Sequence, residues 1–182
     1  MTGGRDAPEY VQQVLEERAR ALAKPVQPEQ SGDTIEVVRF DLEGETYALE
    51  ANCVWEVFRL EALSPLPGAK PPVFGVTNWR GAILTVLDLR QMLGLPAGGV
   101  TDLSRVILLG TRRPAFGILA DAVRDLVVLR RQDVREPPQG VALKREYLAG
   151  ITGDAVPVLA GNELLRRHVR SALPSSHLAL GG

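Results

Sequence analysis

The sequence predicts a mainly β protein in which two five-stranded barrels share one hydrophobic core. Short apolar runs alternate with turn residues along most of the chain, as expected for strands. The same succession of runs occurs twice, once in each half. A unit of about five short strands has little core of its own, so two such units are expected to pack face to face.

In each half the pattern predicts a hairpin, a connecting strand, a proline-containing loop and a strand pair. The first five predicted strands span residues 35–42, 46–51, 54–60, 75–78 and 82–87. The second five span residues 105–109, 115–120, 121–129, 147–152 and 155–159. Each half is therefore expected to form its own barrel.

Matching residues support an internal duplication with pseudo-twofold symmetry. Three stretches align in the same order, namely 47–49 with 116–118, 75–77 with 150–152, and 86–87 with 158–159. In the first alignment Glu56 meets Asp125. In the second, Gly75 meets Gly150.

Helices are predicted outside the strands. Asp6 caps an amphipathic helix that ends near Lys24, and a linker rich in polar residues and proline continues to residue 33. The apolar stripe of this helix packs either on its own domain or on a partner. Asp88 caps a short helix over 88–93, and Asn162 caps a final helix that ends near residue 172.

The chain is accordingly divided into three regions. Residues 1–33 form the N-terminal helix and linker, residues 34–173 form the two-barrel domain, and residues 174–182 form a disordered tail.

Composition favours a cytosolic protein that binds other proteins. The formal net charge is -1, without the basic excess typical of nucleic-acid binders. The lone cysteine, Cys53, precludes an intrachain disulfide and suits a reducing cytoplasm. No apolar run approaches the roughly 20 residues that cross a bilayer, and the N-terminus does not follow the order of a secretory signal.

Catalytic, cofactor and metal sites are not expected. There are only two histidines, and neither has a plausible set of metal ligands around it. His168 lies among arginines near the end of the last helix, where cations favour the helix dipole. The chain contains no nucleotide-binding glycine motif and no nucleophile elbow.

One segment has the composition of a binding site. Asn78 and Gly81 suit a tight turn between two strands, which places Trp79 and Arg80 at an exposed bend. Aromatic and arginine side chains on a rigid turn are common interface anchors. The alternative is a solvated arginine stacked on a half-buried tryptophan, without a binding role.

The residues from 75 to 81, followed by Val86-Leu87-Asp88-Leu89, resemble the CheW family of chemotaxis adaptors. Further similarity lies in Phe40 and Leu42, Tyr47-Ala48-Leu49, the segment 54–57, Asp121 with Val123, and Tyr147 to Ile151. The resemblance covers roughly residues 35–165. It implies two SH3-like five-stranded barrels around a common core, in agreement with the duplication.

The resemblance also implies a function and partners. A CheW-like adaptor couples the cytoplasmic tip of chemoreceptors to the C-terminal regulatory domain of a CheA-type histidine kinase, without catalysis or cofactor. It would be cytoplasmic and recruited to membrane receptor arrays. By this resemblance Arg80, supported by Asn78 and Gly81, serves receptor engagement or the orientation of nearby contacts, whereas Val54 and Glu56 contribute to kinase contact. The predicted partner-binding residues are Val54, Glu56, Phe74, Gly75, Asn78, Trp79, Arg80 and Gly81.

Departures from the family pattern leave a second interpretation open. Trp79 replaces the usual leucine, and Phe74 occupies a place that is often polar. These departures indicate a partner preference that differs from that of the best-known members. The rival interpretation is a CheW-like protein that binds only one of the two partners, as a competitor or as a scaffold in a non-flagellar pathway. A small-barrel nucleic-acid binder is a further alternative, which the near-neutral charge disfavours.

Overall fold

The structure, a computed structural model, describes residues 33–96 and 105–172. The predicted N-terminal helix and the predicted tail lie outside the described residues, and the region boundaries stay predictions. The described strands are β1 (Thr34–Leu42), β2 (Glu45–Glu50), β3 (Val54–Arg59), β4 (Val73–Trp79), β5 (Ala82–Leu87), β6 (Arg105–Gly110), β7 (Pro114–Ala120), β8 (Ala122–Arg130), β9 (Leu148–Ile151) and β10 (Pro157–Leu159). The helices are α1 (Leu89–Leu93) and α2 (Gly161–Ala172).

The strands form two five-stranded sheets, which confirms the predicted fold class. Sheet 1 has the order β8-β1-β2-β10-β9, and sheet 2 has the order β3-β6-β7-β5-β4. In each sheet three of the four strand pairings are antiparallel, and one, β2 with β10 in sheet 1 or β5 with β7 in sheet 2, is parallel.

The allocation of strands to sheets differs from the expectation that each half forms its own barrel. Sheet 1 contains the hairpin β1–β2 of the first half together with β8, β9 and β10 of the second. Sheet 2 contains the hairpin β6–β7 of the second half together with β3, β4 and β5 of the first. The halves exchange their hairpins, so neither sheet can be completed without the other half of the chain.

The duplication itself is confirmed to the residue. Val158 and Leu159 pair with Ala48 and Leu49 in sheet 1. In sheet 2, Val86 and Leu87 pair in the same way with Gly117 and Ile118. These are the residues that the sequence alignment equates, and the two strand orders coincide when the halves are interchanged.

The exchanged hairpins contribute buried side chains to two apolar clusters each. In β1, Ile35 and Val37 face the interior of sheet 1, whereas Val38 and Phe40 belong to a core shared by both sheets. In β6 the same alternation sends Val106 and Leu108 into the interior of sheet 2 and Ile107 and Leu109 into the shared core. The β6–β7 hairpin is accordingly covered on both faces and is almost continuously apolar, whereas β1 keeps Glu36, Arg39 and Asp41 partly exposed.

Ionic contacts join the two sheets beside this shared core. Arg90, buried at the start of α1, donates from Nε to Asp88 Oδ1 at 2.9 Å and from Nη1 to Glu43 Oε1 at 3.0 Å. Asp88 follows sheet 2, and Glu43 lies in the β1–β2 turn of sheet 1. The hydrogen bonds to Asp88, with those to Glu43, raise the pKa of Arg90, so its charge is held at every accessible pH.

The helices follow their predicted positions with one correction at a cap. Asp88 caps α1 by accepting from the backbone N–H of Arg90 at 2.9 Å, as predicted. Asn162, predicted to cap the final helix, is instead its second residue, because α2 begins at Gly161. The Oδ1 atom of Asn162 accepts from the Sγ of buried Cys53 at 3.4 Å.

Two glycines that the sequence alignment equates are required for the same physical reason, which is the close approach of another backbone segment. A Cβ atom on Gly75 would lie 2.6 Å from the carbonyl oxygen of Ser64. A Cβ atom on Gly150 would lie 2.7 Å from the carbonyl oxygen of Arg135. In each sheet a loop backbone crosses the strand too closely for any side chain.

We expect Gly75→Ala and Gly150→Ala each to lower the free energy of unfolding by about 1–3 kcal/mol, because the crossing backbone must move. Gly153→Ala is the matched control, since a Cβ atom there would meet no atom within 4 Å. Urea denaturation measures all three. Equal stabilities for the three variants would contradict the close approach.

His168 of α2 is held against the end of sheet 1 rather than exposed as a helix-end cation. Its Nε2 atom is hydrogen-bonded to the hydroxyl of Tyr147 at 2.8 Å, and the Arg167 guanidinium lies over the Tyr147 ring. Burial lowers the pKa of His168, and the cations of Lys144 and Arg167 lower it further, against a smaller opposite effect of Glu146. The folded protein therefore favours the neutral imidazole.

This environment predicts a pH dependence of stability. As the pH falls below about 6.5, the unfolded chain binds a proton at His168 that the folded chain resists, so the free energy of unfolding decreases. His168→Gln keeps a partner for the Tyr147 hydroxyl and should show a shallower decrease between about pH 7 and pH 5. Urea denaturation at several pH values tests this, and parallel curves for the two proteins would contradict it.

Candidate partner-binding site

The β4–β5 turn is a tight two-residue hairpin. Arg80 and Gly81, its central residues, have φ angles of 50° and 82°. Two consecutive positive φ values match the twist of a hairpin, and glycine takes the second without strain. The Oδ1 atom of Asn78 accepts from the backbone N–H of Gly81 at 2.9 Å, which fixes the turn from inside. The predicted bend is therefore present, with Asn78 in its supporting role.

Glu56 of β3 joins this turn across the edge of sheet 2. Its Oε2 atom accepts from Trp79 Nε1 at 3.1 Å and pairs with Arg80 Nη2 at 3.0 Å. The Arg80 guanidinium also lies over the Trp79 ring, 5.3 Å from its centroid. One carboxylate thus orients both side chains predicted to anchor a partner.

The side chains of Glu56, Trp79 and Arg80 differ in exposure, and this difference indicates which of them can contact a partner. The side chain of Glu56 is 15% exposed, whereas that of Arg80 is 70% exposed. Trp79 is half-buried and packs against the interior cluster of sheet 2. Since a guanidinium carries five N–H donors, Arg80 retains donors for a partner while Glu56 holds its orientation. The same geometry also fits the alternative of a solvated arginine stacked on tryptophan.

The remaining predicted residues are not all at the surface. Phe74 is exposed on β4. Gly75, its neighbour, is buried beneath the backbone of Ser64. Val54 is only 8% exposed and belongs to the shared core, so its side chain is not part of a surface. The structure brings Glu56, Asn78, Trp79, Arg80 and Gly81 together.

Ile83 is a surface residue that the sequence pattern did not reveal. It lies within the strand predicted over residues 82–87, but its side chain is 80% exposed at the start of β5, directly opposite Asn78. A continuous apolar run gives no sign of which member faces solvent. The turn end of the β4–β5 hairpin, where Trp79 pairs with Ala82, extends beyond the residues of β5 that pair with β7. Ile83 lies in this extension, and no described residue covers its side chain.

The described residues offer little reactive chemistry. No group of three or more His, Cys, Asp or Glu among them could hold a metal ion. Burial raises the pKa of Cys53 to about 11, with a smaller effect from Glu50. A thiol in this state is a poor nucleophile at neutral pH.

Within residues 33–96 and 105–172, no helix is both long enough and apolar enough to span a bilayer.

Comparison with known proteins identifies the family. The CheW-like domain matches residues 36–168, most of the chain. The chain belongs to the CheW-like domain family. The match includes both sheets, the Arg80 turn and most of α2.

Individual relatives agree with this membership. The chain is 30% identical over 105 residues to the chemotaxis protein CheW of Bacillus subtilis, covering 58% of this chain and 67% of that protein. It is 32% identical over 132 residues to protein FrzA of Myxococcus xanthus, covering 72% and 79%. The crystal structure of the scaffolding protein TtCheW from Thermoanaerobacter tengcongensis superposes with a TM-score of 0.60 at 25% identity, covering 69% of this chain and 88% of that one.

Membership confirms the predicted function class. The chain is a non-catalytic chemotaxis adaptor. The exposed turn, rather than a reactive centre, is therefore the feature that needs a functional explanation.

The Glu56 contacts predict unequal effects of two substitutions. Glu56→Ala leaves the half-buried Trp79 Nε1 donor without its acceptor and should lower the free energy of unfolding by about 1–3 kcal/mol. Glu56→Gln keeps an acceptor and should cost less. A double-mutant cycle with Arg80→Ala should give a coupling of only about 0.2–1 kcal/mol, because Arg80 is solvent-exposed. Urea denaturation followed by tryptophan fluorescence measures the stability of each variant. Equal decreases in the free energy of unfolding for Glu56→Ala and Glu56→Gln would contradict the assigned hydrogen bond.

Proposed function

We propose that this chain bridges the cytoplasmic tip of chemoreceptors and the C-terminal regulatory domain of a CheA-type histidine kinase, in the cytoplasm and at membrane receptor arrays. The observation that supports it most directly is the Arg80 turn. It presents an oriented guanidinium on a hairpin fixed by Asn78 and Glu56, and the exposed Ile83 follows the same turn on β5. An exposed apolar group next to an arginine on a rigid element is the composition of an interface hot spot.

The receptor is the partner we assign to this surface. Arg80 provides free donors, and Ile83 provides apolar area that the described part of the chain leaves in water. Phe74 adds a second exposed apolar side chain on β4 of the same hairpin. A partner that covers these side chains removes apolar surface from water, which favours binding.

The position of Glu56 constrains where the kinase binds. Because Glu56 is bonded to both Trp79 and Arg80, the β3 segment and the turn form one continuous surface rather than two separate ones. An adaptor that holds two proteins at once needs a second face. We therefore assign the kinase domain to a surface that does not include Arg80, with β3 of sheet 2 at the border between the two contacts.

Binding of only one partner remains the second candidate. The single surface formed by Glu56 and Arg80 is the observation that favours it, since both predicted contact segments meet there. Co-purification of the chain with the receptor fragment and with the kinase domain, separately and together, distinguishes the two functions. Ternary complex formation supports the bridge, and mutually exclusive binding supports the competitor.

Two substitutions test the receptor surface. Arg80→Glu and Ile83→Ser should each weaken binding of a chemoreceptor cytoplasmic fragment by roughly tenfold or more, as expected for interface anchors. Neither should change the melting temperature appreciably, because both side chains are exposed. Calorimetric binding and thermal denaturation are measured on the same samples. Loss of the fold together with loss of binding would show a structural role instead.

The activity itself is tested by reconstitution of receptor, kinase and adaptor. Receptor-dependent kinase activity should require addition of this chain and should be lost with Arg80→Glu. Ile83→Ser should reduce this activity as well. Val128→Ser is its matched control and should retain the activity, because Val128 is a comparably exposed aliphatic residue on β8 of sheet 1. Full activity without the chain would refute the proposed coupling.

A further inference from the structure

The β6–β7 turn lies at the same end of sheet 2 as the Arg80 turn. Strands β5 and β7 run parallel, with Val86 opposite Gly117. The β4–β5 turn immediately precedes β5, and the turn that contains Arg112 and Arg113 immediately precedes β7. Because parallel strands begin at the same end of a sheet, both turns project from one end.

Strand β3 begins at this end as well. It pairs antiparallel with β6, with Val54 opposite Leu109, so the start of β3 lies beside the end of β6. The ion pair between Glu56 and Arg80 confirms that the start of β3 and the β4–β5 turn are adjacent. Three separate segments of the chain therefore meet at one end of sheet 2.

Positive charge is concentrated there, although the whole chain has a formal net charge of -1. Arg112 and Arg113 are exposed, and neither has an ion pair with a carboxylate among residues 33–96 and 105–172. Arg80 is exposed too, and it pairs with the carboxylate of Glu56. Of these four residues of the described part of the chain, three carry a positive charge and one carries a negative charge.

Exposed apolar side chains lie at the same end of sheet 2. Ile83 follows the Arg80 turn, and Trp55, at the start of β3, is exposed as well. An apolar spot beside arginines is complementary to a segment that presents an apolar side chain flanked by carboxylates. An amphipathic helix is the element that places charged residues on both sides of an apolar stripe.

We propose that Arg112 and Arg113 extend the Arg80–Ile83 surface into a basic rim, and that this rim selects an acidic amphipathic helix of the receptor as its partner. The inference rests on the proposed function, since it specifies the chemistry of the receptor segment that docks at this end. Arg112 and Arg113 act as specificity residues: they steer and discriminate by charge, while Ile83 contributes the apolar contact.

The test compares two double charge reversals of equal size. Arg112→Glu with Arg113→Glu removes the rim. Lys70→Glu with Arg135→Glu is the matched control, because both residues are exposed, Lys70 precedes β4 at the opposite end of sheet 2, and Arg135 pairs through its backbone with sheet 1. A third variant, Arg112→Ala with Arg113→Ala, removes charge without reversing it, and thermal denaturation checks the fold of all three.

The first probe is the chemoreceptor cytoplasmic fragment, titrated calorimetrically at low and high salt. The rim reversal should weaken binding roughly tenfold or more, the alanine variant less, and the control reversal by less than about twofold. Added salt should weaken wild-type binding more than binding of the rim variants, because the lost contacts are between exposed charges. Equal affinity for wild type and rim reversal would overturn the inference while leaving the proposed function intact.

The second probe does not depend on the receptor. It is a pair of synthetic amphipathic helices with the same leucine stripe, one flanked by glutamates and the other by lysines. Perturbation of the Ile83 methyl resonances by the glutamate helix alone supports the rim, even if no receptor fragment binds and the proposed function fails. Equal perturbation by both helices, or by neither, overturns the inference.

Discussion

The shared core is the constraint on which the rest of this protein depends. Each sheet encloses a small apolar cluster of its own, but the largest buried side chains, among them Phe40 and Phe116, lie between the sheets. The hairpins that carry these residues also contribute to the clusters within the individual sheets. Because each hairpin completes the sheet of the other half, separation of the halves would expose the core and break both sheets at once. The two sheets are therefore expected to unfold as one cooperative unit.

Rigidity of this kind is what an adaptor needs. A protein without catalysis can transmit a signal only through the relative placement of the proteins that it holds. The buried contacts of Arg90 with Asp88 and Glu43 tie the two sheets together beside the core, and Glu56 fixes the Arg80 turn against β3. The exposed residues at the end of sheet 2 are thus presented at defined positions, which reduces the entropy lost when a partner binds.

Much of the fold and part of the site could be predicted from sequence. The duplication was visible because strand residues recur in order, and the pairing of Ala48 with Val158 and of Gly117 with Val86 confirms it. The turn at Arg80 was visible because Asn78 and Gly81 have local conformational preferences. The exposure of Ile83 and the burial of Val54 were not visible, since a run of neighbouring apolar residues does not reveal which of them faces solvent.

The sequence by itself determined the strands, their turns, the repeat and the family, because each depends on local spacing and residue type. The tertiary structure decided how the halves combine. Exchange of the hairpins is invisible to a repeat alignment, since either arrangement satisfies the same strand patterns. It likewise decided that Glu56 and Arg80, 24 positions apart, form a single surface and that the Arg112 turn joins them. Such proximities arise from pairing between distant strands, and only the folded sheet specifies that pairing.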